Sequence, residues 1–207
     1  MSNFVSSDYH LGHGNIIKLA KRPFKDLNHM NETIIKNHNE RIKNDDTFFH
    51  VGDFCFRNSP GGKDGEGTTT RATNYLEVLN GQKVLIKGNH DKNNTVKTCI
   101  ERIYVNFGGY RICMVHSPSH VDYKCKVNLV GHVHGEWKFM RFERDGRVTY
   151  AVNVGVDQWN FRPITIDEAL IGLDKWKKKE RERKELLKTQ ISQKEVRPKE
   201  RNNLVNG

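Results

Sequence analysis

Five short stretches of the chain carry side chains able to do chemistry together: Asp8-Tyr9-His10, Gly52-Asp53, Gly88-Asn89-His90-Asp91, His116 and Gly131-His132-Val133-His134-Gly135. Asp8 and His10 are two residues apart, so in an extended segment both face one side. His132 and His134 repeat that spacing, and their flanking glycines let the backbone come close to an ion. The donors are oxygens and imidazole nitrogens without a thiolate, a set that suits Mn²⁺, Fe or Zn²⁺ better than a soft metal. Seven such ligands exceed the needs of one four- to six-coordinate ion and suffice for two ions sharing one carboxylate. One Asp at a strand end is usually a turn former, and a lone His is usually a surface or core residue. The weight lies in the ordered occurrence of all five groups.

These groups need elements to hold them. Phe4-Val5, Thr47–Val51, Lys83–Lys87, Tyr110–Val115 and Val127–Val130 read as strands. The last four end in ligand-type residues, and Asp8-Tyr9-His10 lies just past the first. In open α/β sheets, ligands bind beyond the carboxyl ends of strands, so one sheet edge collects the set. Residues 28–43 have helical spacing through Met30, Ile34, Ile35, His38 and Ile42. A second helix runs through Tyr75, Leu76 and Leu79, with Gly81 closing it. Segments 138–144 and 147–154 alternate in polarity around Asp145-Gly146, a hairpin signal. Thr165 and Glu168 form a capping box opening a helix that continues into KKKERERKELLK. This is an α/β pattern, with the chain after Pro198 grading into disorder.

The chain has 207 residues, a 35% hydrophobic fraction and a net charge of +10. Residues 175–201 hold 12 of its 35 basic and 5 of its 25 acidic residues, so +7 sits in a C-terminal stretch and only +3 elsewhere. The division expected is a domain over 1–174 and a basic tail over 175–207. A charge-alternating helix is the first reading of that tail, and a nucleic-acid grip the second. No apolar run is long enough for a membrane span, and the N-terminus has no secretory signal pattern. Cys55, Cys99, Cys113 and Cys125 form no CxxC, which fits reduced thiols in a cytoplasmic protein. The glycine-rich loop GGKDGEGTTT breaks P-loop spacing and reads as a mobile rim beside Asp53.

The order DxH, GD, GNHD, H, GHxH resembles the calcineurin-like metallophosphoesterases. Leu11-Gly12-His13, Arg22-Pro23-Phe24, Asn153-Val154-Gly155-Val156-Asp157 and Trp159-Asn160-Phe161-Arg162-Pro163 are similar to a small single-domain bacterial and phage branch. Val130 departs from that branch, which often has another His there. The resemblance implies a double β-sheet sandwich flanked by helices (αββα). It also implies that Asp8, His10 and His134 hold one divalent ion and Asn89, His116 and His132 a second, with Asp53 bridging. His90 becomes the acid that protonates the leaving oxygen, oriented by Asp91. Mn²⁺ is the first choice of metal, with Fe, Ni²⁺ or Zn²⁺ able to use the same donors. His13, Arg57 and Arg162 are candidates for touching substrate.

Two cations neutralise phosphoryl oxygens, acidify a water to give the attacking hydroxide and clamp an in-line displacement. The expected activity is a phosphodiesterase acting on a small nucleotide, such as a 2′,3′-cyclic nucleotide, or on a nucleic-acid terminus. The alternatives are a nuclease that holds nucleic acid through the basic tail and a catalytically silent binding module of the same fold.

Overall fold

Three apolar runs build the first sheet: β1 (Asn3–Ser6), β2 (Thr47–Val51) and β3 (Gln82–Ile86), paired in parallel in the order β3-β2-β1. A two-residue strand, β9 (Ile164–Thr165), adds antiparallel to β1. Parallel pairing puts all three carboxyl ends on one edge, so Asp8, Asp53 and Asn89 emerge beside one another. The second sheet runs β4 (Arg102–Phe107), β5 (Tyr110–Val115), β6 (Val127–Val130), β8 (Arg147–Asn153) and β7 (Phe139–Arg144). Its central strands β5, β6 and β8 are parallel too, and they deliver His116, His132-Val133-His134 and Asn153–Asp157.

The two sheets meet along that edge. Ser7 pairs with Gly155, Val156 N–H donates to Ser7 O (3.1 Å), and His116 Nδ1–H donates to Val51 O (2.8 Å). Helices α1 (Ile16–Leu19), α2 (Leu27–Arg41) and α3 (Ala72–Val78) flank the sheets. Asp26 caps α2 by accepting from His29 N–H (2.8 Å), a contact typical of a helix start. The buried face of α2 places Met30 and Ile34 in a core with Tyr9, Phe48 and Phe54. This is the mixed α/β, two-sheet architecture expected from the resemblance.

The computed structural model describes residues 1–56, 70–91 and 97–201, with side chains to Ser192. Arg57 and nearly all of the glycine-rich loop lie outside the described residues. Two compact units are present, Met1–Ala169 and Leu170–Gly207. The helix α4 (Ile166–Arg201) begins in the first and makes up the described part of the second. It continues past Pro198, where the sequence reading ends it. The capping box forms as expected: Thr165 N–H donates to Glu168 Oε2 (2.7 Å) and Glu168 N–H to Thr165 Oγ1 (3.1 Å). The β7–β8 hairpin turns through Asp145 and Gly146 at φ 51° and 71°.

Four elements depart from the sequence reading. The short helix α1 and the strands β4 and β9 were not expected; β4 is an edge strand whose burial alternates, joined to β5 through Gly108-Gly109. α3 ends at Val78, before Gly81. Gly81 (φ 89°) turns the chain into β3 instead, where a Cβ would press on Ile42. Among the described residues, no helix is long and apolar enough to cross a membrane.

Candidate metal centre

Five of the seven predicted ligands sit in left-handed backbone: Asp8 (φ 57°), His10 (50°), Asp53 (56°), His132 (73°) and His134 (43°). Non-glycine residues rarely hold this conformation, and when they do they cluster at functional sites. The cause is local. Each strand stops at the sheet edge, and the chain turns sharply enough to aim a side chain back over the strand ends. The turns are held by backbone bonds from the first motif to the second: Asp8 N–H to Gly52 O and His10 N–H to Asp53 O, both 3.0 Å. Gly88 and Gly131 are required by space, because a Cβ on the first would collide with the Asp53 carboxylate and on the second with Ser7 and Asp8.

The donor atoms form two groups. Asp8, His10 and His134 offer ligand atoms within 4.8 Å of one another, as do Asp53, His116 and His132. Asp53 Oδ2 joins them, 3.5 Å from His10 Nε2 and 3.3 Å from His116 Nε2. Asn89 Oδ1 completes the second group, 3.0 Å from His116 Nε2 and 2.8 Å from His132 Nδ1. The structure therefore brings together all seven residues picked from the sequence.

Hydrogen bonds on the far side of the rings set which nitrogen faces inward. His116 Nδ1–H donates to Val51 O, and His134 Nδ1–H to Asp157 Oδ2 (3.1 Å), so each turns Nε2 toward the groups. His10 Nε2 is buried and has no hydrogen-bond partner among the described residues. Asp8 is fully buried; it accepts from the His132 backbone N–H at 3.0 Å and from Ser7 Oγ–H.

Burial raises the Asp8 carboxyl above its ordinary value, against the pull of His116 and His134. Burial works against charge on His116 as well, but the Asp53 and Asp8 carboxylates overcome it and lift this imidazole to about 9. His10 is driven well below its ordinary value by burial and by Arg22. The centre thus draws positive charge to its carboxylates and keeps one imidazole nitrogen lone pair bare. Those donors fit a pair of divalent cations, which His116 would hold as the neutral imidazole.

His90 lies beside both groups. Its N–H donates to Asp53 Oδ1 (2.8 Å), and its ring packs 5.2 Å from His10 and 5.7 Å from His13. Asp91, next to His90 in the chain, is buried. Its carboxylate accepts from the N–H groups of Asp53 (2.7 Å), Gly88 (2.8 Å) and Phe54 (3.0 Å), pinning the loops that carry Asp53 and Asn89. It supports His90 through that backbone. His13 is buried under Phe56, with rings 4.6 Å apart, and its Nδ1 is 3.2 Å from His10 Nδ1. It braces His10 and is drawn down to about 4 by burial and by His90. Arg162 is exposed, and none of its described contacts reaches the centre.

Arg22 and Asp157 were seen in the sequence only as flanking similarity. The Arg22 guanidinium is buried and grips Asp157 with two bonds of 2.9 Å. It also donates to Asp8 O (2.6 Å) and Tyr9 O (3.1 Å). One side chain thus ties the first motif to the carboxylate that orients His134. Asn153 and Gln158 hold the same loop by donating to His134 O (2.8 and 2.9 Å). Beside the second group, a cavity of about 400 Å³ is bounded by Asn89, His116 and His132 on one side and Lys87, Ser117 and His120 on the other.

No family model matches the chain. The uncharacterized protein MJ1445 of Methanocaldococcus jannaschii is 31% identical over 171 residues, 79% of this chain and 86% of its own length. The crystal structure of the protein of unknown function AQ665 from Aquifex aeolicus shares the fold, at 24% identity and TM-score 0.57 over 81% of this chain and 96% of that one. A predicted phosphoesterase from Streptococcus pneumoniae TIGR4 overlays more loosely, at 16% identity and TM-score 0.32 over 72% and 70% of the two chains. With nearly the whole of the archaeal relative matched at this identity, the chain belongs to the same family as MJ1445.

Proposed function

We propose that the protein is a binuclear metal-dependent phosphoesterase, and within that class a phosphodiesterase acting on a nucleotide or a nucleic-acid end. The observation that carries this reading is Asp53 Oδ2 standing between His10 Nε2 and His116 Nε2, which makes one carboxylate common to two donor groups. Asp8, His10 and His134 would hold one divalent ion, Asn89, His116 and His132 the other, and Asp53 both. Mn²⁺ is the first candidate, with Fe, Ni²⁺ and Zn²⁺ using the same donor types. Bound there, two cations neutralise phosphoryl oxygens and acidify a water for in-line attack.

The chain's own residues do the rest. His90 is held beside the donor groups by its backbone bond to Asp53, so its ring can protonate a departing alkoxide. The buried Arg22–Asp157 pair keeps His134 Nε2 facing inward. A diester needs that proton because its leaving group is an alkoxide. It carries one negative charge, which the two cations offset without a further cluster of arginines.

The test is hydrolysis of bis(p-nitrophenyl) phosphate with and without Mn²⁺, beside p-nitrophenyl phosphate. Metal-dependent turnover with higher kcat/KM for the diester supports the reading. Metal binding without turnover of either ester identifies a silent binding module instead, and faster monoester turnover removes the diester preference.

A further inference from the structure

The cavity beside the second donor group does not end there. His120 also lines a second cavity of about 460 Å³, together with Arg102, Lys124, Arg144, Arg147 and the rings of Tyr104 and Tyr123. The two cavities therefore share a wall residue, His120, and Glu101 of the first adjoins Arg102 of the second in the chain.

Register gives this path a direction. Arg102 pairs with Val115, the last residue of β5, so the path begins level with the strand end that carries His116. Arg144 and Arg147 flank the β7–β8 turn, beyond Tyr150, whose partner Val127 begins β6. The path thus leads away from the metal centre toward the opposite end of the strands.

Its charge is mostly of one sign. In the second cavity four cations face one carboxylate, Asp122, whose oxygens already accept from Tyr104 Oη–H (2.7 Å) and Lys124 N–H (2.8 Å); the first cavity sets Glu101 against Lys87. Arg144 lies 3.9 Å from Asp145 with both side chains exposed, a pair of little worth in water. Among the described residues, Lys124 and Arg147 form no ion pair. The rings are interleaved with the cations: the Arg144 guanidinium lies 4.5 Å from the Tyr123 centroid and that of Arg111 4.9 Å from Tyr104. Cations spaced along a groove, with flat aromatic surfaces between them, are what a single-stranded nucleic acid needs: phosphates pair with the cations and unstacked bases lie on the rings.

We infer that this path holds a single-stranded nucleic acid, leading one of its phosphodiesters to the metal centre. The inference deepens the phosphodiesterase reading and rests on it for the position of the cleaved bond. It moves the nucleic-acid grip from the basic tail to a face of the first unit. A duplex is a poorer occupant, since its stacked bases leave no faces for Tyr104 and Tyr123.

The experiment measures fluorescein-labelled (dT)₁₆ binding by anisotropy across a salt series, with the full-length protein as purified and with EDTA to stop turnover. Arg144→Ser/Arg147→Ser is expected to weaken binding and lower the slope of log affinity against log salt by about 1.4, for two lost phosphate contacts. Tyr104→Ala is expected to weaken (dT)₁₆ binding about fivefold, the lower end for one lost stack. Both variants should turn over bis(p-nitrophenyl) phosphate with Mn²⁺ at the wild-type rate while losing kcat/KM on the oligonucleotide. A tail variant, Lys178→Gln/Lys179→Gln/Lys184→Gln/Lys188→Gln, is the counter-probe. Loss of binding in the tail variant with retention in Arg144→Ser/Arg147→Ser overturns the inference in favour of the tail. Unchanged binding in Tyr104→Ala, with inorganic polyphosphate competing as well as (dT)₁₆, overturns the nucleic-acid assignment in favour of a plain polyanion. Failure of the wild type to hydrolyse bis(p-nitrophenyl) phosphate tells against the catalytic reading alone and leaves the binding measurements interpretable.

Discussion

The two donor groups use the same residue types and share a carboxylate, yet their surroundings differ. Asp8 and His10 are fully buried, and His134 is fixed from behind by Asp157, Arg22, Asn153 and Gln158. In the second group His132 is exposed, and the cavity with Lys87 and His120 opens beside it. His134 of the first group is oriented by a charged buttress locked into the core, and His116 of the second by the Val51 carbonyl; Asn89, beside His132, is exposed. A site built this way has one side made to hold and one side made to exchange. Substrate should meet the open side, and support from behind should matter most on the closed one.

The strongest way to break the contrast is to remove what the groups share. Asp53→Asn should lower metal content to one ion or none and abolish bis(p-nitrophenyl) phosphate turnover, read by elemental analysis beside kinetics. Retention of two ions with activity would mean that Asp53 does not bridge.

Next in size is His90→Ala. Both ions should stay, while turnover of esters with poor leaving groups falls ~10²–10⁴-fold, the range of a lost general acid. Esters with a nitrophenolate leaving group should suffer far less. A variant that loses metal instead would make His90 a ligand.

Asp157→Asn tests the closed side alone. It should weaken one of two Mn²⁺ binding steps by about 10–100-fold, the usual scale for a lost ligand-orienting partner, and leave the other unchanged in calorimetry. An equal effect on both steps would erase the distinction between the groups. Arg22→Met asks a harsher question of the same buttress. Leaving Asp157 buried without its partner should cost about 3–5 kcal/mol in urea unfolding.

The smallest effect belongs to the open side. Lys87→Ala should raise KM for a dinucleotide up to about fivefold, the scale of an exposed charge contact, with metal binding untouched. A change in kcat instead would place Lys87 at the reacting phosphate.

The parts of this centre legible in the sequence are those written locally. Asp8, Asp53, Asn89, His116, His132 and His134 each lie within four residues of the end of an apolar run, so strand prediction and residue type locate them together. Arg22 and Asp157 are 135 residues apart, and neither carries a local pattern that says it will meet the other inside the core. Asp91 shows the converse: the family resemblance implied a role in orienting His90, and nothing local announced the three backbone N–H groups that its carboxylate accepts from. For β4 the Gly108-Gly109 turn was a usable hairpin signal. For β9 nothing was, since two residues have no periodicity. The basic cavity was out of reach as well, because Arg102, Lys124, Arg144 and Arg147 come together only when β4, the His116–Lys126 connection and the β7–β8 turn are folded against one another.

The left-handed backbone at Asp8, His10, Asp53, His132 and His134 also has a bearing on how the molecule comes apart. Each such residue costs on the order of 1–3 kcal/mol and persists only while its surroundings over-determine it. The bonds that do so cross between motifs or between sheets: Asp8 to Gly52, His10 to Asp53, His132 to Asp8 and Val156 to Ser7. A small parting of the seam therefore releases several of these residues at once, well before the strand ladders separate. In rising urea, a metal-loaded sample mixed with a colorimetric chelator should surrender its ions at a lower concentration than the one at which far-UV circular dichroism collapses, so that ion release reports the opening of the seam.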